Sequence, residues 1–306
     1  MLGTSDKAVR WLSARIFYGW VVVALAFLAM FASGAAQSHT FSVFLGPVSA
    51  ELGLSQTQWG AAFGLATLVA AFGLPYMGRM IDSHGPRTMM MWVAFGLGLA
   101  CFAFGLAGGI ASLAIVFAVL RFLGQGSLML NASNLVSRWF DKRRGFAVSL
   151  MGLGFSASMG VHPPLMQWLT DEVGWRQAWF LLGLSTWILL IPVVYFLARE
   201  LPSQLGLEQD GGKVESDPEA KTTSSGPPLI GLTRSEALRT PAFYIICGGL
   251  FTLSMLVTTL HLFQVPIFES HGVDRTIAAR VFPVSALTMV VMTPLVGLVL
   301  TAFRRQ

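Results

Sequence analysis

Charge is scarce in this chain. Only 11% of its 306 residues are Asp, Glu, Lys or Arg, against roughly 25% in soluble domains, and so few cannot coat a globule of this size. None of the 15 acidic residues falls deep inside an apolar run, so neither a carboxylate pair nor a nucleophile–base pair suited to an intramembrane enzyme is visible. Cysteine is almost absent. Cys101 and Cys247 both lie in apolar runs, where free thiols act as small fillers, and two such residues make neither a disulfide framework nor a metal site. A glycine-rich phosphate loop, a metal-spaced His/Cys set and a nucleophile elbow are likewise missing. The expectation is a protein that is not an enzyme and carries no cofactor or metal.

What the chain has instead is hydrocarbon. It is 54% hydrophobic, with 23 Phe, 9 Trp and 32 Gly. A membrane-crossing helix needs about 20 mostly apolar residues, and eight runs supply them: roughly 17–40, 58–78, 88–108, 110–136, 146–168, 178–199, 242–266 and 278–301. Barrel strands would alternate over about 10 residues, and these runs do not. The fold class read from the sequence is an all-α polytopic membrane protein.

Basic residues orient it. With the amino terminus in the cytoplasm, sixteen of the 20 Lys and Arg lie on the cytoplasmic side, three (Arg176, Arg275 and Arg280) lie outside, and Arg121 falls within a span. That is a positive-inside bias, so the net charge of +5 reports topology. The basic, aromatic stretch RWFDKRRG at 138–145 is read as a membrane-surface loop, with no nucleic-acid partner. The lipid bilayer is the expected partner, and the location is the inner (plasma) membrane, multi-pass. Oligomeric state is not legible.

Three regions follow: a six-span unit over 1–200, a Gly-, Pro-, Ser- and charge-rich linker over 201–240 on the cytoplasmic side, and two spans over 241–306. An internal repeat joins the outer two. At a constant offset of 219 residues Phe44 falls on Phe263, Pro47 on Pro266, Gly53 on Gly272, Phe63 on Phe282, Pro75 on Pro294 and Gly78 on Gly297. Such duplications are typical of secondary transporters, whose sites lie between the halves near mid-membrane.

Between the second and third runs stands GRMIDSHGPR, residues 78–87. On a helix, Gly78 and Asp82 share a face. The glycine permits close helix approach, Asp82 can attract a neighbouring helix N-terminus, Gly85 with Pro86 forces a turn, and Arg87 opens the next helix. The cluster reads as a gating latch, or as a polar loop between spans. Arg121 lies near the middle of span four, where a charge costs about 2.5–3.5 kcal/mol on insertion scales. At 100° per residue Arg121, Gln125, Leu128 and Asn131 fall within roughly 60° of one face. A cation there would hold a carboxylate by charge-assisted hydrogen bonds; the other reading is a structural arginine on helix-end carbonyls. His39 closes the polar patch QSHT (37–40), and His261 shares a stripe with Ser254 and Thr258. Each is a candidate proton carrier near neutral pH, or a histidine bonded to a neighbouring helix. His162, before Pro163 and Pro164, is assigned to a helix break.

GRMIDSHGPR resembles the signature between helices two and three of the major facilitator superfamily. RFLGQGSLMLNASNLVSRWFDKRRGFA, GLGFSASMG and GWRQAWFLLG fit that family as well. FYGWVVVALAF and FSVFLGPVSAELGLSQTQWG look more narrowly like its monocarboxylate-porter and oxalate/formate-antiporter branch. The resemblance implies a major facilitator fold with a complete six-helix N-terminal bundle and the first two helices of the C-terminal bundle, hence a chain truncated at its carboxy end relative to a twelve-helix family. It implies alternating-access transport of a small organic anion, a monocarboxylate above all, driven by a proton or ion gradient. Arg121, Gln125, Asn131, His39 and His261 are the implied substrate-binding set, and Gly78, Asp82, Gly85 and Arg87 the latch. The family pattern brings the Asp82 position against helix eleven. Three departures stand out: Gly124 follows Arg121 by three residues where many members have four, HPP at 162–164 replaces a Gly-Pro pair, and Thr301 is the repeat counterpart of Asp82. The alternatives are a transport-inactive truncated fragment and a membrane sensor or interaction protein signalling through the linker.

Overall fold

The computed structural model describes residues 15–211 and 234–303, with Val9 and Ser13, and side chains through Met292. Residues 212–233 of the linker, with Lys213 and Lys221, and the terminal charges Lys7, Arg10, Arg304 and Arg305 lie outside the described residues. So do the side chains of Pro294, Gly297 and Thr301.

Eight helical segments among the described residues are long and apolar enough to cross a membrane. Span one joins α1 (Gly19–Ala32) to α2 (Ser38–Leu52) through a 3₁₀ turn. α3 (Gln56–His84), α4 (Pro86–Gly105), α7 (Arg144–Val173) and α8 (Trp175–Leu197) are continuous. Span four is α5 (Ile110–Leu120) and α6 (Met129–Trp139), joined by a π-helical segment, Arg121–Leu128. A short α9 (Arg234–Ala237) precedes α10 (Pro241–Ser270) and α11 (Arg275–Phe303).

Several boundaries differ from the sequence reading. Span one continues to Leu52 rather than 40, because its polar patch is satisfied internally: Thr40 donates to the Gly34 carbonyl at 2.7 Å, and Ser42 accepts from the Val265 N–H at 3.0 Å. The charged cluster is mostly helix. α3 runs to His84, and only Gly85, at φ +82°, turns the chain into α4 with Pro86 at its first position, where the missing proline N–H has no helical role. α7 passes through Pro163 and Pro164 unbroken, so no helix break exists at His162. The start of the linker is docked rather than loose: the Asp210 carboxylate accepts from the backbone N–H of Asp141, Lys142 and Arg143 at 3.1, 2.7 and 3.2 Å. Burial opposes its ionisation, but these three donors and the Arg143 charge outweigh that and hold the carboxyl below the usual aspartate range.

The first six spans form one bundle, in which α4 packs on α8, α1 on α7 and α3 on α5. α10 then lies against α2, and α11 against α7. The repeat is visible in the backbone. Gly53 and Gly272 both take left-handed φ, +65° and +76°, which glycine adopts at no steric cost. Two residues further on, Ser55 and Asp274 cap α3 and α11, accepting from the N–H of Gln58 and Thr276. Helix start and cap thus recur at the 219-residue offset.

The end of the bundle away from the linker is sealed by aromatic rings. Trp179 stacks on Phe104 with centroids 4.0 Å apart and on Phe41 at 5.6 Å, and Phe117 meets Phe41 edge-on at 5.0 Å. At the same end Arg275 of α11 donates to the Val43 carbonyl at 2.9 Å. That carbonyl is free because Pro47, four residues on, has no N–H to donate, and Gly46 leaves the space into which the guanidinium fits.

Candidate functional site: a buried arginine between the first bundle and α10

The wide turns of the π segment place Arg121 beside the break in span one. Gly124, with no side chain, lets the segment lie directly on Ala36. The chain turns extended at Gln37 (φ −94°, ψ 151°), which leaves the Ala36 carbonyl outside the helix ladder. Arg121 Nη1 donates to that carbonyl at 3.3 Å, and Nε donates to Thr67 Oγ1 at 3.1 Å. The guanidinium carbon lies 4.7 Å from the Phe63 ring centre, a cation–π separation. Arg121 is 4% exposed, and neither ion pair found among the described residues includes it. The helix-end carbonyl contact expected of a structural arginine is therefore present, but no carboxylate offsets the charge.

Arg121 and Gln125 open on a cavity of about 550 Å³. Its walls are α3, from Gly60 to Ala71, and α10, where Ser254, Thr258 and Thr259 contribute hydroxyls among Phe251, Met255, Leu262 and Phe263. A second cavity of about 300 Å³ shares Thr67, Ala71, Arg121 and Gln125 and extends to Leu74, Gly126 and Met129. Gln125 Oε1 is buried with no hydrogen-bond partner, a condition that costs roughly 1–3 kcal/mol and marks a group to be explained functionally. The space suits a small ligand, and its polar groups are a cation, an amide and hydroxyls.

The other expected residues are distributed elsewhere. Asn131 is fully buried, donating to the Ser127 carbonyl at 2.8 Å, and lines neither cavity. A π-helix bonds i to i+5 and turns less per residue than an α-helix, so ten residues on from Arg121 the face has moved. His39 points to α7: its Nε2 is 3.3 Å from Ser158 Oγ, and its ring lies edge-on to Phe155 at 5.6 Å. Of the α10 stripe, Ser254 and Thr258 line the cavity, while the half-buried His261 faces Phe282 of α11 at 6.2 Å.

The latch residues are only partly engaged. Nothing lies within 4 Å of where a Gly78 side chain would begin, and Asp82 is exposed with no partner among the described residues. The close helix approach expected at Gly78 is thus not made by any described helix. Gly85 and Arg87 do engage: a side chain at Gly85 would collide with the Glu200 carboxylate, and Arg87 Nη2 donates to the Tyr195 carbonyl at 2.7 Å. Glu200 was not singled out by sequence reasoning. Its signal was an acid immediately after span six, on the same side of the membrane as Arg87.

Comparison with known proteins adds the family. The chain matches the model described as Major Facilitator Superfamily over residues 20–306. It is 27% identical over 257 residues to an oxalate:formate antiporter of Oxalobacter formigenes, covering 83% of this chain and 56% of that one. It is 31% identical over 175 residues to monocarboxylate transporter 13 of Bos taurus, covering 54% and 39%. A probable galactarate/D-glucarate transporter of Escherichia coli (strain K12) is 26% identical over 170 residues, covering 54% and 37%. The chain thus spans between about a third and somewhat over half of these relatives' lengths. Among solved structures, a bacterial homologue of the human lysosomal transporter Spinster, inward-facing and unoccupied, superposes with a TM-score of 0.65 at 18% identity, covering 88% of this chain and 60% of that one.

Proposed function

Because the chain belongs to the Major Facilitator Superfamily, a family of membrane transporters, we propose that it serves secondary transport of a small organic anion, with Arg121 as the carboxylate anchor. One observation carries this reading. A guanidinium only 4% exposed stands on the wall of a cavity of about 550 Å³ with no acidic partner among the described residues. Its neighbours leave it one clear vocation. Thr67 and the Ala36 carbonyl hold Nε and Nη1, so the guanidinium is oriented, and an arriving carboxylate supplies the charge that these neutral partners do not. Gln125 and the α10 hydroxyls then select among anions by hydrogen bonding.

The class of substrate is a monocarboxylate or short dicarboxylate, in keeping with relatives named for oxalate, formate, monocarboxylates and sugar diacids. Proton coupling belongs to the proposal, with membrane-embedded histidine as the carrier. The linker end faces the cytoplasm of the plasma membrane, following the basic-residue bias. Movement of α10 and α11 against the first bundle alternates access.

The test is binding of radiolabelled formate, oxalate and L-lactate to the purified chain in nanodiscs. Arg121→Ala is expected to weaken the bound anion about 10- to 100-fold, the worth of a charged hydrogen bond of roughly 1.5–3 kcal/mol. Arg121→Lys, which keeps charge but loses the fork, falls between. Unchanged affinity in Arg121→Ala would contradict the assignment.

A further inference from the structure

We propose that His162, Ser158 and His39 form a proton relay through the packing of span one on α7, separate from the Arg121 cavity, with Phe282 of α11 as the gate between this relay and His261. The proposal rests on the transport reading, since such a path serves a protein that moves a proton with its anion.

Ser158 Oγ lies 3.1 Å from His162 Nδ1 and 3.3 Å from His39 Nε2. His162 Nδ1 is also 3.1 Å from the Ser158 carbonyl. A carbonyl oxygen only accepts, so Nδ1 of the neutral His162 ring carries the hydrogen. In the proposed arrangement the serine hydroxyl gives its one hydrogen to His39 Nε2, and His39 carries its own hydrogen on Nδ1. The chain of donors runs one way, from His162 through Ser158 to His39. When His162 is an imidazolium, its Nδ1 proton passes to Ser158 Oγ as the hydroxyl proton passes to His39 Nε2. His162 is left neutral in its other tautomer, with the hydrogen on Nε2, and returns to the resting Nδ1–H form by tautomer exchange before the next transfer; Ser158 keeps one hydrogen, and His39 becomes the imidazolium. One proton and one charge have moved, with no other reactant.

The packing is made for this contact. A side chain at Gly34 would collide with Ser158 Oγ and crowd His162 Nδ1, so glycine at that position lets the break in span one close on the pair. Both histidines and Ser158 are at most 5% exposed. His39 Nδ1 is buried without a partner and is the open position of the relay.

The charged and titratable groups near enough to act on His39 electrostatically are His162 from α7, His261 from α10 and Arg121 from span four. α1 carries no titratable side chain, and α11 presents Phe282. No carboxylate is among them. Among the described residues no negative charge reaches this neighbourhood, so a bound anion would supply it. An anion at Arg121 offsets the standing charge and makes a proton on the relay more favourable, which couples the two loads without direct contact between them.

Phe282 stands between the relay and the remaining membrane histidine. Its ring centre is 6.3 Å from that of His39 and 6.2 Å from that of His261. The ring rides on α11, whereas the relay sits on the first bundle, so a shift of α11 moves the barrier.

Two readouts test the proposal on the full chain in lipid. In ¹⁵N-histidine NMR, His39 is expected as the Nδ1–H tautomer with an accepting Nε2. Ser158→Ala should move the Nε2 signal and make the two rings titrate independently, while Ser158→Thr should restore both properties. A His39 signal indifferent to Ser158→Ala, or a hydrogen found on Nε2 at neutral pH, would overturn the relay whether or not any anion is carried. In proteoliposomes with a trapped pH dye, Ser158→Ala should slow formate-, oxalate- or lactate-dependent proton entry about 100-fold, with anion binding kept within about twofold. Phe282→Ala should admit protons without an anion. Wild-type proton entry in Ser158→Ala, alongside lost binding in Arg121→Ala, would sink the relay and leave the anion site standing. Failure of the wild type to bind any of the three anions would sink the transport reading, and the NMR result would still decide the relay.

Discussion

The two ends of the interface between the first bundle and α10–α11 are built from different materials. At the end away from the linker, contact is made by directional bonds. Arg275 fills the carbonyl that Pro47 frees, with Glu269 3.6 Å away on its other side, and Ser42 holds the Val265 N–H. Behind them, the Phe41, Phe104, Phe117 and Trp179 rings pack against one another, all fully buried. At the linker end, α10 from Tyr244 to Leu260 presents Ile245, Phe251 and Leu253 at 60% exposure or more, and the stretch from Phe251 to Thr259 meets α3 only across the cavity. The lesson is that one end is clamped and the other free, with Arg121 between them.

The largest effect on this contrast is expected from Trp179→Ala. Removing a fully buried indole from the aromatic seal costs about 3–5 kcal/mol and should lower the unfolding midpoint of the detergent-solubilised chain more than any change at the linker end. Arg275→Met comes next. It strands the Val43 carbonyl, for roughly 1–3 kcal/mol, and should lengthen spin-label distances between α2 and α11 at the clamped end. Gly46→Val, which occupies the space of the guanidinium, should do the same by a smaller amount. An unchanged distance in both variants would mean that the arginine is not the clamp.

The smallest effect belongs to the linker. Asp210 has a depressed carboxyl pKa, so its docking is at full strength above the ordinary aspartate value of about 3.9. It is lost only as pH falls through the lower, folded value. Asp210→Asn keeps the size but weakens acceptance from the three N–H groups. Hydrogen exchange over 201–211 should quicken at neutral pH in the variant, whereas the wild type should reach that rate only in acid. Equal exchange at neutral pH would show that the linker is held by something else.

Much of this architecture was legible beforehand because lipid makes hydropathy informative. All eight spans and the 219-residue repeat could be read from apolar length and from glycine and proline positions, and Gly53 with Gly272 proved to be matched backbone turns. Arg121 could be singled out for a related reason, since a charge in a span has few places to go, and Gln125 lines the same cavity. What hydropathy could not see was satisfaction. The QSHT patch looked like the end of a span, yet Thr40 is bonded within the span at Gly34, and His39 and the nearby Ser42 are buried against partners far along the chain. Asn131 was misplaced by the assumption of 100° per residue, which the π segment breaks. Glu200 and Ser158 were missed because Gly85, beside Glu200, and His39, beside Ser158, meet them only in the folded bundle.

The central claim is a positive charge on a cavity wall with no acidic partner among the described residues, and it can be measured without knowing the substrate. In a Cys247→Ser background, with Cys101 buried, Thr258→Cys places one thiol on the cavity wall. Its reaction rates with anionic and cationic methanethiosulfonates applied from the linker side report the local potential. The account predicts that the anionic reagent reacts about tenfold faster and that Arg121→Gln abolishes the preference. Equal rates in the Arg121 protein, or a faster cationic reagent, would contradict it.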